Sequence, residues 1–330
     1  MSILLITRSD DNASVDMVAR ALVARGEVPI RLDTDRYPEQ LWLSTAYVGG
    51  RWERTLSTPT ETVDLGEVTA LWYRRFFAGG SLPLSLGDTR EPCVNEARRT
   101  MYGTIAALGC FELDPLIAVR KADHKERQLA KAAEYGLDVP ATLFSNEPRA
   151  VRQFYEQVGG RMITKMQSSF ALYRDGVESV VFTNVVKPTD LEDLAGLRYA
   201  PMTFQELVDK VVELRVTVVG RQVFAASIDS QKKEETSLDW RRDGVGLLND
   251  WQPYTLPESV REGLLKLTAE FGLNYAAADF IVTRDGRHVF LEINAGGEWF
   301  WLARTPGLPI AEALADTLAG KAERAPQWGV

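Results

Sequence analysis

The sequence predicts an α/β (α+β) protein that begins with a small open α/β domain. Three features predict this. Residues 3–32 read strand, helix, strand; short apolar strands then alternate with amphipathic helices; and two apolar strands near the end flank an Asp285-Gly286 hairpin signal.

In order, residues 3–7 are a short apolar strand, followed by a polar loop at 9–14 rich in capping residues. Residues 15–25 place Met17, Val18, Ala21 and Leu22 on one helical face, with Gly26 as the stop. Residues 28–32 and 71–75 are strands, and 91–108 a long helix. The loop after the first strand holds no glycine, so it is not a Gly-rich phosphate loop. A second unit begins near Asp114-Pro115: helix 124–134 stopping at Gly136, strand 141–145, helix 147–158, and strand 161–166 with Lys165 embedded in it. A hairpin follows at 168–183, with Arg174-Asp175-Gly176 at its turn. The third unit has strands at 202–206, 213–219 and 222–230, helix 258–271, the hairpin 275–294 and helix 310–318. The tail 323–330 reads as disordered.

At 330 residues the chain has room for two or three domains. It contains no signal peptide and no run able to span a bilayer. Two cysteines, Cys93 and Cys110, make no disulfide framework and suit a reducing cytoplasm. With only His124 and His288, a zinc site or a Ser-His-Asp hydrolase is hard to build. A net charge of −8 argues against nonspecific nucleic-acid binding. Anionic substrates must therefore be met by local cations.

The C-terminal hairpin carries the sharpest chemistry. If its strands pair antiparallel, Asp279, Glu292 and Asn294 project from one face. Two carboxylates and an amide oxygen suit Mg²⁺ that shares its remaining positions with nucleotide phosphates. Acidic residues at strand ends are also often merely solvated. Other polar residues stand in apolar strands. Lys165 offers a point charge for phosphate oxygens, and Arg215 could neutralise a transferring phosphoryl group. Lys125 opens a helix, where a cation opposes the macrodipole and calls for a nearby anion. Gln205, Glu206 and Leu207 could present backbone and carboxylate groups to a nucleoside. Taken singly, each of these also fits a structural role.

The order Lys125, Lys165, Glu206, Arg215, Asp279, then Glu292-Ile-Asn294 resembles the ATP-grasp superfamily. That resemblance implies ATP-dependent formation of an acyl phosphate, with Lys125 and Lys165 on the phosphates and Glu206 and Leu207 on the nucleoside. It also implies Arg215 at the γ-phosphate, Asp279, Glu292 and Asn294 on the metal ions, and the 168–183 hairpin as lid. The expected divisions are an N-terminal open α/β pre-ATP-grasp domain at 1–115 on the substrate side, a central subdomain with the lid at 116–200, and a C-terminal subdomain at 201–330 carrying the metal ligands.

Further segments are similar to the microviridin-type (graspetide) peptide maturases: Asp33-Thr-Asp-Arg36, Leu71-Trp-Tyr-Arg-Arg75, Thr164-Lys-Met166, Pro201-Met-Thr-Phe-Gln-Glu206, Asp239-Trp-Arg241, Trp251-Gln-Pro-Tyr254, Phe271-Gly-Leu-Asn-Tyr275 and Glu292-Ile-Asn-Ala-Gly-Gly-Glu-Trp-Phe-Trp301. Ala295 departs from the pattern, where proline is expected, and removes no ligand. The resemblance implies ω-ester links between Asp or Glu side chains of a ribosomal precursor peptide and Thr or Ser hydroxyls, or ω-amide links to Lys, with ATP and Mg²⁺ as cofactors. Alternatives are a ligase adding amino acids to a peptide terminus and a non-catalytic peptide-binding relative. The expected partners are the precursor, with its leader and acidic core, and a second copy of the chain, with neither nucleic acid nor membrane. Arg74 and Arg75 are candidates for substrate carboxylates, and Asp190 and Asp193 for a basic leader residue. Solvated positions would also explain all four. Trp299 and Trp301 read as packing residues.

Overall fold

The computed structural model describes residues 1–11, 13–167, 171–174, 177–180, 183–232 and 246–326. The N-terminal unit contains β1 (Ser2–Thr7), α1 (Ala13–Val23), β2 (Val28–Asp33), β3 (Trp42–Val48), β4 (Arg51–Ser57), β5 (Thr62–Asp64), β6 (Val68–Tyr73), α2 (Arg90–Ala106) and β7 (Phe111–Glu112). Its main sheet has order β2-β1-β6-β7, all parallel. Helices cover this sheet, which is why Ile3 to Ile6 form a continuous apolar run with every side chain buried. The small antiparallel sheet β3-β4-β5 had no counterpart among the expected strands. Leu43 and Leu56 are cross-strand partners that join the core beneath it, and Thr45 meets Thr104 of α2 through their hydroxyls at 3.0 Å. Trp42, Tyr47 and Trp52 stay exposed, so no clean inside-outside alternation marks these strands.

Next come α3 (Leu116–Ala122), α4 (Lys125–Glu134), β8 (Thr142–Ser145), α5 (Pro148–Gln157), β9 (Met162–Lys165), β10 (Ala171–Arg174), β11 (Val177–Val180), β12 (Asn184–Val185) and β13 (Met202–Glu206). β10 and β11 pair antiparallel, as the expected hairpin requires; Asp175 and Gly176 of its turn lie outside the described residues. β13, expected to begin the third unit, is hydrogen-bonded between β8 and β9 in the sheet β12-β9-β13-β8. Phe204 supplies the reason, since it is buried among Val151, Phe154 and Met162 of this central unit. α3 and α4 follow the opposite course, packing Ala118, Ala122 and Ala132 against the C-terminal sheet.

That sheet has order β16-β15-β14-β17-β18, with β14 (Val212–Val219), β15 (Gln222–Ile228), β16 (Gln252–Pro253), β17 (Tyr275–Val282) and β18 (His288–Asn294). The unit also holds α6 (Glu258–Phe271), α7 (Phe300–Arg304) and α8 (Ile310–Leu318). The β17–β18 turn closes as its sequence predicts. Gly286 adopts φ +83°, a left-handed conformation natural to glycine, and its N–H donates to the Thr283 carbonyl at 3.0 Å. α8 packs on α1, so the first and last units share one core, reinforced by Arg25 Nη2 donating to Asp316 Oδ2 at 2.8 Å. Of the tail expected to be disordered, residues 323–326 are described and pack on the fold, and 327–330 lie outside the described residues. The buried Ala325 donates its N–H to Asn274 Oδ1 at 2.7 Å, and Arg324 stacks over Phe111 at 3.5 Å. Among the described residues no helix is long and apolar enough to cross a membrane.

Candidate active site

β14, β17 and β18 are consecutive neighbours, and their register sets one polar row across an otherwise apolar sheet. Arg215 is paired with Asp279, and Asp279 with Glu292. Asn294 lies two residues beyond Glu292 and therefore on the same face. All four side chains line a cleft of about 1230 Å³ between the central and C-terminal sheets. Lys125, Lys165, Gln205, Glu206 and Leu207 line it too, as does Arg75 from the N-terminal unit. The expected nucleotide and metal residues thus converge on one cavity.

The charges within it are closely matched. Arg215 Nη1 donates to Asp279 Oδ1 at 2.8 Å and Nη2 to the Glu298 carbonyl at 3.0 Å. Burial opposes its charge, but Asp279, Tyr275 and Glu292 together more than offset this, and the guanidinium pKa is raised. Lys125 Nζ lies 2.9 Å from Glu292 Oε2 and 3.1 Å from Asn294 Oδ1. Glu292 is therefore the anion that the helix-opening lysine calls for. Burial also works against ionisation of Glu292, yet the ammonium groups of Lys125 and Lys165 hold its carboxyl well below the usual range. Asn294 Nδ2 donates to Glu292 Oε1 at 3.0 Å, which orients the amide oxygen away from it.

Among the described residues no cluster of three His, Cys, Asp or Glu side chains is placed to hold a metal. The oxygens of Asp279, Glu292 and Asn294 nevertheless suit Mg²⁺, which takes one or two protein carboxylates and draws its other ligands from water and phosphate.

Several residues take tasks that their sequence positions do not announce. Arg74 is buried, with its side chain 2% exposed, and donates to Glu298 Oε2 at 2.6 Å and to the Gly296 carbonyl at 3.0 Å. It also pairs with the buried Asp11. Arg74 is thus a clamp between the N-terminal unit and the loop after β18, and the guanidinium that faces the cavity is that of Arg75. Arg75, 40% exposed, pairs with Asp11 at 3.2 Å and with Glu298. Gln205 is buried and donates to Thr142 Oγ1 at 3.0 Å. The N–H groups of Glu206 and Leu207 donate to the carbonyls of Ala141 and Arg161, so a nucleoside would meet side chains and carbonyl oxygens here rather than these amides. Asp190 and Asp193 are exposed and outside the cleft lining, and their carboxylates accept the N–H groups of Lys187 and Ala195 in local turns. Trp299 is fully buried; Trp301 is nearly so and also forms part of the cleft wall. The segment Asp239-Trp-Arg241 lies outside the described residues.

Two contributors escaped notice in the sequence. Gln128 of α4 accepts the Ile293 N–H and donates to the Ile293 carbonyl, each at 2.9 Å, fixing the backbone between Glu292 and Asn294. Its signal was a buried amide on the apolar side of a helix. Glu298 joins Arg74 and Arg75, and only its place just beyond the Gly296-Gly297 pair could have pointed to it.

Comparison with known proteins agrees with this geometry. Residues 2–120 match the MvdD pre-ATP grasp domain. The chain is 41% identical to the macrocyclase MdnC of Microcystis aeruginosa MRC, solved bound with precursor peptide MdnA, with a TM-score of 0.88 over 97% of this chain and 100% of that one. It is 38% identical to a RiPP-associated ATP-grasp ligase of Chryseobacterium gregarium, solved with ADP and a leader and core peptide, with a TM-score of 0.93 over 100% of this chain and 99% of that one. A probable alpha-L-glutamate ligase of Enterobacter sp. (strain 638) is 26% identical over 230 residues, 65% of this chain and 71% of that protein. The chain belongs to the ATP-grasp family of peptide macrocyclases that act on ribosomal precursor peptides.

Proposed function

We propose that this protein joins Asp or Glu side chains of a ribosomal precursor peptide to Thr or Ser hydroxyls, using ATP. One observation carries the reading. The Arg215–Asp279–Glu292 row, flanked by Lys125 and Lys165, faces the same cleft as Arg75 from the opposite unit. Cations for phosphate, oxygens for a metal and a cation for a substrate carboxylate thus share one space.

In this scheme Gln205, Glu206 and Leu207 border the nucleoside, while Lys125 and Lys165 hold phosphate oxygens. Asp279, Glu292 and Asn294 hold Mg²⁺, which neutralises phosphate charge when bound. Arg75 orients the substrate carboxylate. That carboxylate attacks the γ-phosphorus, ADP leaves, and Arg215 offsets the charge on the transferring phosphoryl group. The peptide hydroxyl then attacks the acyl carbon, its proton is lost, and phosphate departs. Asp190 and Asp193, exposed beyond the hairpin, offer carboxylates to a basic leader residue. A reducing cytoplasm is the compartment that two free cysteines support.

Incubation with Mg²⁺, ATP and a candidate acidic precursor, followed by peptide mass, tests the reading. Loss of one water per crosslink is expected, and mild alkali should restore it if the links are esters, whereas amides resist. A mass gain would instead mean amino-acid addition, the reading favoured by the likeness to glutamate ligases.

A further inference from the structure

Lys125 stands in an unusual relation to the proposed metal ligands. Its Nζ lies 2.9 Å from Glu292 Oε2, 3.1 Å from Asn294 Oδ1 and 3.2 Å from the Ile293 carbonyl oxygen. Two of these oxygens belong to side chains proposed to bind Mg²⁺. An ammonium at hydrogen-bond distance from them fills the space a divalent ion needs, since Mg²⁺ demands contacts of about 2.0–2.1 Å in near-octahedral geometry. The two cations also repel, and in a half-buried cleft that repulsion is screened far less than in water.

The surroundings make this a competition with a defined outcome. Gln128 binds the Ile293 backbone on both sides, so β18 and its ligands are held in place with α4. Lys125 opens the same helix, but its ammonium sits on a flexible four-carbon stem. The lysine head can therefore move while the oxygens stay. What can draw it away is another anion within the cleft, and nucleotide phosphate is the anion this cleft is proposed to receive. Lys165 supplies a second cation for the same phosphates.

We infer that Lys125 guards the Glu292–Asn294 pair: a divalent ion gains these oxygens only when a nucleotide phosphate has drawn the ammonium off. Metal then enters with or after the nucleotide and does not accumulate at this pair alone. The inference rests on the proposed assignment of Asp279, Glu292 and Asn294, and its test separates the two.

Mn²⁺ serves as the probe, with protein-bound ion read from its paramagnetic signal in titrations of wild type, Lys125→Met and Lys125→Arg, each with and without ADP. Without ADP, Lys125→Met should bind Mn²⁺ about tenfold or more tightly than wild type, because the competing charge is gone. Lys125→Arg retains a cation and should stay weak. ADP should strengthen binding in wild type far more than in Lys125→Met. Thermal unfolding checks that the variants fold, and Lys125→Gln replaces Lys125→Met if that variant does not. Equal nucleotide-free affinity in wild type and Lys125→Met would overturn the guard while leaving the metal assignment standing. No protein-bound Mn²⁺ in any variant, even with ADP, would overturn both.

Discussion

Arg215 on β14 and Asp279 on β17 face each other across an antiparallel pair, with Nη1 2.8 Å from Oδ1. The pairing puts a permanent cation beside a candidate metal ligand and fixes both by sheet register rather than by a loop. Register is hard to disturb, because a shift by one residue would turn every side chain to the opposite face.

Arg215 should therefore contribute chiefly to the chemical step. Arg215→Lys keeps the charge but loses the fork that reaches Asp279 and the Glu298 carbonyl together. We expect kcat for ATP-dependent crosslinking to fall about 10²–10³-fold, as when a preorganised charge-stabilising donor is lost. KM for ATP should change far less. Steady-state kinetics on the peptide checks this, and a fall confined to KM would move Arg215 from catalysis to binding.

The neighbours Arg74 and Arg75 should behave differently. Arg74 is almost fully buried against Asp11 and Glu298, so Arg74→Ala leaves those carboxylates to Arg75 and should cost about 1.5–3 kcal/mol of stability through the lost charged hydrogen bonds. Arg75 is 40% exposed, and its ion pairs are worth about 1 kcal/mol or less. Arg75→Ala should fold normally and raise KM for an acidic peptide. Urea unfolding beside peptide kinetics separates the two outcomes.

Asp114 makes stability depend on pH. It is buried, and its Oδ1 accepts the N–H groups of Asn274 at 2.7 Å and Tyr275 at 3.0 Å. Burial pushes its carboxyl up to about 7 from the ordinary 3.8, against the pull of those two donors. The folded state thus holds a proton that the unfolded state gives up. Its contribution is fully present below the unfolded value and is lost as pH rises through about 7. Asp114→Asn retains an acceptor oxygen without the charge. Wild type should lose stability relative to this variant between pH 5 and pH 8, measured by denaturant unfolding; parallel profiles would show that Asp114 does not titrate there.

Much of the site was legible because it lies on regular strands. Period-two alternation puts Glu292 and Asn294 on one face, and Arg215 stood out as a cation in a β-branched strand. The match of Asp279 to Glu292 also needs the irregularity that leaves Leu291 unpaired between Phe290 and Glu292, which the pattern does not show. Partnerships far apart in sequence could not be read this way. That β13 would insert between β8 and β9 depends on long-range pairing, which local pattern does not encode. Arg74 and Arg75 look alike in sequence and share Asp11 and Glu298 as partners, yet one is buried and the other lines the cleft, a difference set by packing that the sequence does not encode. The three strands over 42–64 were hidden because their exposed aromatic residues blur the polar face.

Gln128 offers a test of how far the backbone of β18 governs its ligands. Its amide both accepts from and donates to Ile293, which stands between Glu292 and Asn294. Gln128→Ala takes its partner from the Ile293 N–H, at about 1–3 kcal/mol if that group is left unsatisfied, and leaves the Ile293 carbonyl to Lys125 alone. Gln128→Glu still accepts the N–H, but when ionised it cannot donate to the carbonyl, and it adds an anion near Lys125. Stability should therefore fall in both variants. Mn²⁺ binding in the presence of ADP should weaken in Gln128→Ala even under conditions where the protein remains folded, because the two ligands lose their common anchor. If cation affinity is unchanged while stability drops, the strand holds its ligands without help from α4, and Gln128 serves packing alone.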